Sequence, residues 1–411
     1  MKNSRILFAA FALVIVALPL HADTLRVMTY NSLNFRGNQD ADRLPYFRRV
    51  VGNVHPDVVA MQEIISDESV DQLLSFAFLQ NDDDWASAAF DDGPDTDNIL
   101  FYRTSKVTLM SQRSIPTDLR DFNEYILRPV SPDTSQRLRM YSAHLKAGDT
   151  ENDMQRRAIE CTALRQQLNL VPPGTLFLMV GDFNLYSSSD DSYQILLDGT
   201  DPDGQLFDPI DSPGDWSNSA TFASIHTQSP RASSFGGGSG GGMDDRFDFI
   251  LASAGLMDTA GTYILPATYH PVGNDGQHFN QSINDGVNYA VPDSVADALY
   301  YASDHLPVAV DILLRASTDA VVERPIPQRF ELLTCYPNPF NASLTVHIAE
   351  LPGPAALTVY DVLGRAVYSR PVSAGSARTI FLDFSSQTTG TYYVRLVTPA
   401  ATATERVLQI R

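Results

Sequence analysis

Cysteine is nearly absent from this chain. Cys161 and Cys335 are its only two, too few for a disulfide framework, so hydrophobic cores must hold the fold. Positive charge is scarce as well. With 29 Lys plus Arg against 49 Asp plus Glu, the net charge is -20, which excludes the broad basic surface of most nucleic-acid binders. A polyanionic substrate here requires metal ions or a confined Arg/Lys groove. Clustered cysteines and an HExxH pair are missing, which argues against zinc. A serine-nucleophile elbow set between a strand and a helix is missing too.

Long apolar runs are limited to one. Lys2 and Arg5 precede an apolar stretch from Ile6 to Leu20, and Ala22 offers a small residue for cleavage. This is the layout of a secretory signal peptide over residues 1–22. The run is shorter than the ~20 residues of a spanning helix, and no second run follows. The mature chain is therefore expected to have no transmembrane segment.

What is present looks globular. Hydrophobic residues make up 44% and charged residues 19%, an ordinary balance in a chain long enough for two cores. Residues 23–315 alternate strand-like and helical patterns, as α/β proteins do. "TLRVMTYN", "PDVVAMQE", "RLRMYSAHLKAG", "TLFLMVGDFN", "DRFDFILAS" and "DHLPVAVDILL" read as strands, and "NILFYRTSKVTLMSQRS" as a hairpin. Met154, Ala158, Cys161, Leu164 and Leu168 share one face of a predicted helix, making Cys161 a buried thiol. The glycine-rich run at 233–245 reads as a flexible linker. Residues 316–330, rich in charge and proline, form a second linker. Residues 331–411 show short alternating strands with turns, the pattern of a small all-β sandwich.

Each main strand of the first region ends in polar residues of a few types. Asn31 follows "MTY", Glu63 follows "AMQ", His144 follows "YSA", and Asp182 and Asn184 follow "LMVG". Asp248 lies in "RFDFI", and Asp304 and His305 lie in "SDHLPV". Strand ends are where α/β enzymes build sites. Singly, each residue has a bland role: Asn31 in a turn, Glu63 at a helix start, His144 or His305 in a satisfied core. Together they form a coherent set. Carboxylate and amide oxygens suit Mg²⁺ or Mn²⁺. Histidines flanked by acids suit hydrolysis of a phosphate ester.

The motifs "TYN", "QE", "HL", "GDFN", the aspartate of "RFDFIL", and "SDHLPV", in this order, resemble the endonuclease/exonuclease/phosphatase superfamily. That group includes deoxyribonuclease, exonuclease III-type repair nucleases, neutral sphingomyelinases and inositol polyphosphate phosphatases. The resemblance spans residues 24–314. It implies a four-layer α/β sandwich, with two mixed sheets packed face to face and helices outside. It implies that Glu63 binds the cation with help from Asn31 and Asp304, that Asp182 orients or deprotonates water, and that Asn184 holds the phosphate. His305, oriented by Asp248, would act as base or stabilise charge, and His144 would serve the leaving group or phosphate. Arg128 in "ILRPV" resembles the family's phosphate-contacting arginine. Asp95 or Asp97 would stand in for the usual partner of His144.

The acidic stretch at 198–208 offers carboxylates to a structural Ca²⁺, but it lacks EF-hand spacing, which favours a solvated turn. The tail, with "YPNPFNASLTV", "LTVYDVLGRAV", "GTYYVRLVT" and a basic end "ERVLQIR", resembles a type A sorting domain of the type IX secretion system. This implies export through the periplasm of a Gram-negative-type bacterium to the cell surface or medium, with that secretion machinery as partner. The expected activity is metal-dependent phosphodiester hydrolysis, most simply of nucleic acid. The alternatives are a sphingomyelinase-like or other small-molecule phosphoesterase, and a surface binding protein with a dead core.

Overall fold

The computed structural model describes residues 23–315 and 333–410, apart from residues 132, 350, 352, 376, 377, 400 and 401. The expected signal peptide and the linker at 316–330 lie outside the described residues. The chain forms two compact units, Met1–Asp319 and Ala320–Arg411.

The first unit contains, in chain order, strands β1 (Asp23–Phe35), β2 (Val58–Ile64), β3 (Trp85–Ser87), β4 (Asp97–Arg103), β5 (Val107–Ile115), β6 (Phe122–Pro129), β7 (Leu138–His144), β8 (Leu176–Asp182), β9 (Leu206–Phe207), β10 (Asp248–Ser253), β11 (Tyr263–Pro271) and β12 (Val308–Leu314). Its helices are α1 (Leu44–Val54), α2 (Asp67–Leu73), α3 (Glu151–Leu168), α4 (Asp191–Leu197), α5 (Ala254–Met257) and α6 (Asp293–Ala302). The strands form two six-stranded sheets, ordered β11-β12-β1-β2-β4-β3 and β5-β6-β7-β8-β10-β9. Each sheet is mixed, with one parallel pair: β1 with β2 in the first and β7 with β8 in the second. Parallel neighbours need a crossover, and α1 and α3 provide it. In both pairs the carboxyl ends of the strands therefore lie side by side, which sets Asn31 near Glu63 and His144 beside Asp182.

The layering follows from where alternate side chains go. Leu178 and Val180 of β8 join the core between the sheets, while Phe177 and Met179 face Cys161, Leu164 and Leu168 of α3. The continuous apolar run "LFLMV" is thus a strand buried on both faces. Helices α1 and α6 pack together outside the first sheet, and α3 with α4 outside the second, completing four layers. Cys161 is fully buried as expected, but Met154 is exposed.

Two readings change. Strands β4 and β5 do not form a hairpin: β4 pairs with β2 and β3, and β5 pairs with β6 in the other sheet. The turn at 104–106 carries the chain between sheets, so sequence proximity misleads here. The acidic stretch at 198–208 encloses a cation that the chain itself supplies. Arg165 donates through Nη1 to the carbonyls of Leu196 (3.0 Å) and Gly204 (2.8 Å), and through Nη2 to those of Asp198 (2.6 Å) and Asp201 (2.8 Å). The favoured solvated turn is thus a turn whose backbone carbonyls bind a guanidinium.

Another buried arginine closes the same region. Arg246 makes a two-pronged contact with Asp208 (2.7 and 3.0 Å) while lying 4.2 Å from the Phe249 ring centroid. Both side chains are almost wholly buried. Asp208→Ala strands the charge of Arg246 and is expected to cost about 3–5 kcal/mol. Urea unfolding checks this, and a cost below about 1 kcal/mol, the size of a surface pair, contradicts it.

The second unit is all-β. Strands β13 (Leu333–Tyr336), β14 (Ser343–Ile348) and β17 (Arg378–Asp383) form one antiparallel sheet. The other contains β15 (Ala355–Asp361), β16 (Ala366–Val372), β18 (Gly390–Val397) and β19 (Thr402–Gln409), in the order β16-β15-β18-β19. Leu344, Val346 and Ile348 of one sheet share a core with Leu357, Val359, Val394 and Leu396 of the other, which makes it a sandwich. The basic end "ERVLQIR" lies mostly in β19, an edge strand. An edge tolerates the polar residues that hid it from sequence reasoning.

Candidate active site

Strand β1 keeps parallel register with β2 through Asn31 and Gln62, then bulges before Phe35. The bulge carries Leu33 (φ 51°) and Asn34 (φ 44°), and Glu63 opposite them has φ 61°. A left-handed glutamate is uncommon and costs of order 1–3 kcal/mol, which the surroundings must offset. Here they do: Asn34 N–H donates to Glu63 Oε2 (2.7 Å) and Asn31 Nδ2 to Oε1 (2.9 Å).

In the second sheet, His144, Asp182 and Asp248 are register partners on three adjacent strands. Gly181 makes this possible. It has φ 139°, and a Cβ there would lie 1.9 Å from the Ala143 carbonyl oxygen, so no side chain fits between β7 and β8. Asp182 Oδ2 accepts from Asn31 Nδ2 (3.0 Å), and its Oδ1 from the Asn184 N–H (3.0 Å). Asn184, at φ 51°, donates its amide to Leu145 O (3.1 Å).

Both histidines converge on the same carboxylate oxygen. His305 Nε2 is 3.6 Å and His144 Nε2 is 3.7 Å from Asp182 Oδ2. His144 Nε2 is also 3.6 Å from Glu63 Oε1. The far nitrogen of each ring is engaged: His305 Nδ1 bonds Asp248 Oδ2 (2.8 Å), and His144 Nδ1 faces the Thr96 hydroxyl (3.4 Å). The Gln228 amide lies 2.6 Å from His305 Nε2. Among the described residues, Glu63, His144 and Asp182 are the one His/Cys/Asp/Glu group with ligand atoms all within 4.8 Å of one another. Asp304 is outside that trio; its Oδ2 accepts from Ser239 N–H (2.7 Å).

Residues 28–305 match the model of the Endonuclease/Exonuclease/phosphatase family. The chain belongs to this family. Residues 334–410 match the Secretion system C-terminal sorting domain, so the second unit is the type IX sorting domain, which marks this family member for export to the cell surface or beyond. Among the described residues no helix is long and apolar enough to cross a membrane. Solved structures similar to the chain include D. rerio TDP2 complexed with single strand DNA product, at 16% identity and TM-score 0.48, covering 70% of this chain and 98% of that one. An endonuclease/exonuclease/phosphatase family protein from Bacteroides thetaiotaomicron is similar at 16% identity and TM-score 0.45, covering 72% of this chain and 99% of that one. No curated protein matches in sequence.

Arg128 does not reach the site of this family member. It pairs with Thr108 at the end of β6 whose neighbour, Leu127, lies opposite Leu138. His144 is six residues further along β7, about 20 Å away at strand rise. Because β6 runs antiparallel to β7, the segment before β6 is the part that meets His144, and it carries Arg120. This arginine donates Nη1 to Leu145 O (3.2 Å) and Nε to Asp95 Oδ2 (2.9 Å). Strand direction was the signal that distinguishes the two arginines.

Neither aspartate proposed as partner of His144 plays that part. Asp95 pairs with Arg120, Asp97 accepts from Gly93 N–H (2.9 Å), and Thr96 between them faces the imidazole. Burial, with the charges of Asp92, Asp121 and Asp91, pushes the Asp97 carboxyl up to about 6. A raised folded pKa gives stability that is present below the unfolded value and lost as pH rises through the folded one. Asp97→Asn should therefore stabilise the protein at pH 8 by about 1–2 kcal/mol, after discounting for solvent screening, and change little near pH 4. Melting curves at the two pH values check this; an equal shift at both contradicts it.

The glycine-rich run at 233–245 is docked rather than loose at its centre. A Cβ on Gly238 would lie 2.9 Å from Asp304 Cβ and 2.8 Å from Leu33 Cδ2. Close backbone approach, not a linker, explains that glycine.

Burial and charge polarise the cluster. Burial, reinforced by Arg120 and His305, holds the His144 imidazolium well below its usual range. Burial would lower His305 too, but Asp248 and Asp182 override it and raise its pKa well above normal. Asp182 is raised, mainly by burial, with Asp248 and Glu63 adding repulsion and His305 opposing. Two acids crowded in a buried site, with hard oxygen donors, fit a divalent cation.

Proposed function

We propose that the protein is a secreted, divalent-metal-dependent phosphodiesterase, and specifically a nuclease that hydrolyses extracellular DNA or RNA by in-line attack of water on phosphorus. The observation that carries this reading is the convergence of His144 and His305 on one oxygen of Asp182, beside Glu63. Glu63, helped by Asn31 and by Asp304 beneath the glycine-rich loop, would hold Mg²⁺ or Mn²⁺. The cation supplies positive charge against the phosphoryl oxygens.

The side chains divide the remaining work. Asp182, its pKa raised, accepts the proton of the attacking water. His305, kept protonated by Asp248, places positive charge where the phosphoryl group gains negative charge. His144 is neutral; with the Thr96 hydroxyl donating to Nδ1, its Nε2–H is directed toward the phosphate or leaving oxygen. The Asn184 amide and the Arg120 guanidinium position the phosphate.

A panel of plasmid DNA, RNA, sphingomyelin and bis-p-nitrophenyl phosphate, with Mg²⁺ or with chelator, tests the reading. Cleavage of nucleic acid only with metal supports it. Cleavage of sphingomyelin alone would favour the small phosphodiester reading, which the net charge of -20 also favours over a duplex. Survival of all four substrates contradicts any enzymatic role.

A further inference from the structure

Beside Asp304, four aromatic rings form one continuous surface. Tyr300 and Tyr301 lie at the end of α6, which leads through Ser303 to Asp304 and His305. Tyr301 stacks on Tyr46 of α1, with ring centroids 5.1 Å and planes 25° apart, and meets Phe235 edge-on at 5.8 Å. Phe235 and Tyr300 lie near-parallel at 6.3 Å. Core rings would be hidden, yet Phe235 is 46% and Tyr301 37% exposed. Their base is fixed: the buried Arg231 guanidinium donates to the carbonyls of Tyr300 (2.7 Å) and Phe235 (2.8 Å) and lies 5.1 Å from the Phe235 ring centroid.

This surface joins the site directly. Phe235 begins the loop whose Gly238 packs on Asp304 and whose Ser239 N–H binds the Asp304 carboxylate. At the other side, exposed Arg48 and Arg49 line a shallow cavity of about 210 Å³ with Tyr46. Arg49 is one helical turn beyond Tyr46, on the same face.

Charge selects the occupant. A duplex is held mainly through rows of Lys and Arg on phosphates, which a chain of net charge -20 does not offer. Stacking needs no such row, because every base has a π face. We propose that Phe235, Tyr301 and Tyr46 form a shelf that stacks the unpaired bases of a single-stranded nucleic acid, with Arg48 and Arg49 on its phosphates. The inference rests on the phosphodiesterase reading and narrows its substrate to single strands.

Affinity of the full chain for a fluorescein-labelled oligothymidine, measured in EDTA so that nothing is cut, tests the shelf. The single strand is expected to bind more tightly than a duplex of equal length. Phe235→Ala and Tyr301→Leu are each expected to weaken it roughly 10-fold, while Tyr301→Phe restores binding. Equal affinity for duplex and single strand overturns the proposal, as does a change below about twofold in both weakened variants once their melting temperatures show they are folded. So does loss of binding to sphingomyelin vesicles with oligothymidine affinity intact, which would make the surface a membrane contact. Wild-type turnover of bis-p-nitrophenyl phosphate with Mg²⁺ reports the chemistry separately. Turnover combined with an indifferent shelf removes this inference alone; absence of turnover on any phosphodiester removes the reading beneath it.

Discussion

His305→Asn is expected to lower kcat for phosphodiester cleavage by roughly 10³-fold, with a much smaller change in KM. The imidazole is buried, bonded to Asp248 through Nδ1 at 2.8 Å, and 3.6 Å from Asp182 through Nε2. Its charge is available because Asp248 and Asp182 outweigh the burial that would otherwise neutralise it. Asparagine can preserve one hydrogen bond but not the positive charge. The loss therefore falls on transition-state stabilisation and shows in kcat. Asp248→Asn should give a smaller loss and make the activity more sensitive to alkaline pH, since His305 then releases its proton earlier. Steady-state kinetics on one substrate across pH 6–9 measure both variants; full activity in His305→Asn contradicts the assigned role.

Glu63→Gln should be nearly as damaging, by a different route. The strained carboxylate, at φ 61° and braced by Asn31 and Asn34, is oriented before any cation arrives. Removing its charge weakens cation binding and should reduce activity at fixed Mg²⁺ by about 10²-fold or more. A second readout does not depend on turnover. A ligand that binds only the folded state stabilises it by about 2.7 kcal/mol at a hundred times its Kd. Wild-type protein should thus melt several degrees higher with saturating Mg²⁺ than with EDTA, and Glu63→Gln should not. An unchanged Mg²⁺ shift in the variant places the cation elsewhere.

Much of this site was legible because strand periodicity is rigid. Asp182 and Asn184 follow a strand buried on both faces, so their place at a sheet end could be read from "LFLMVGDFN" alone. The same holds for Asn31, Glu63 and His144, each at the carboxyl end of a strand in a parallel pair. Legibility ended where the answer depended on which sheet or strand end a segment joined. Arg120 precedes β6 and Arg128 lies near its far end, and only the antiparallel pairing of β6 with β7 puts Arg120 at the His144 end. The turn between β4 and β5 resembles a hairpin locally, yet the chain changes sheets there. Composition misled twice. Glycines at 236–238 signalled flexibility, but Gly238 is needed where the backbone presses on Asp304. Acids at 198–208 signalled a solvated turn, with calcium as the lesser alternative, but the carbonyls of that loop enclose Arg165. In each case the deciding partner is distant in sequence, and local pattern carries no record of it.

The most direct measurement is the rate at which the EDTA-stripped full chain hydrolyses bis-p-nitrophenyl phosphate as Mg²⁺ is returned. The proposed site predicts no rate above the blank in EDTA and a saturable rise with Mg²⁺ in the wild type, with little rise in Glu63→Gln over the same range. Equal rates with and without the cation, or no turnover at any Mg²⁺ or Mn²⁺ concentration, would contradict it.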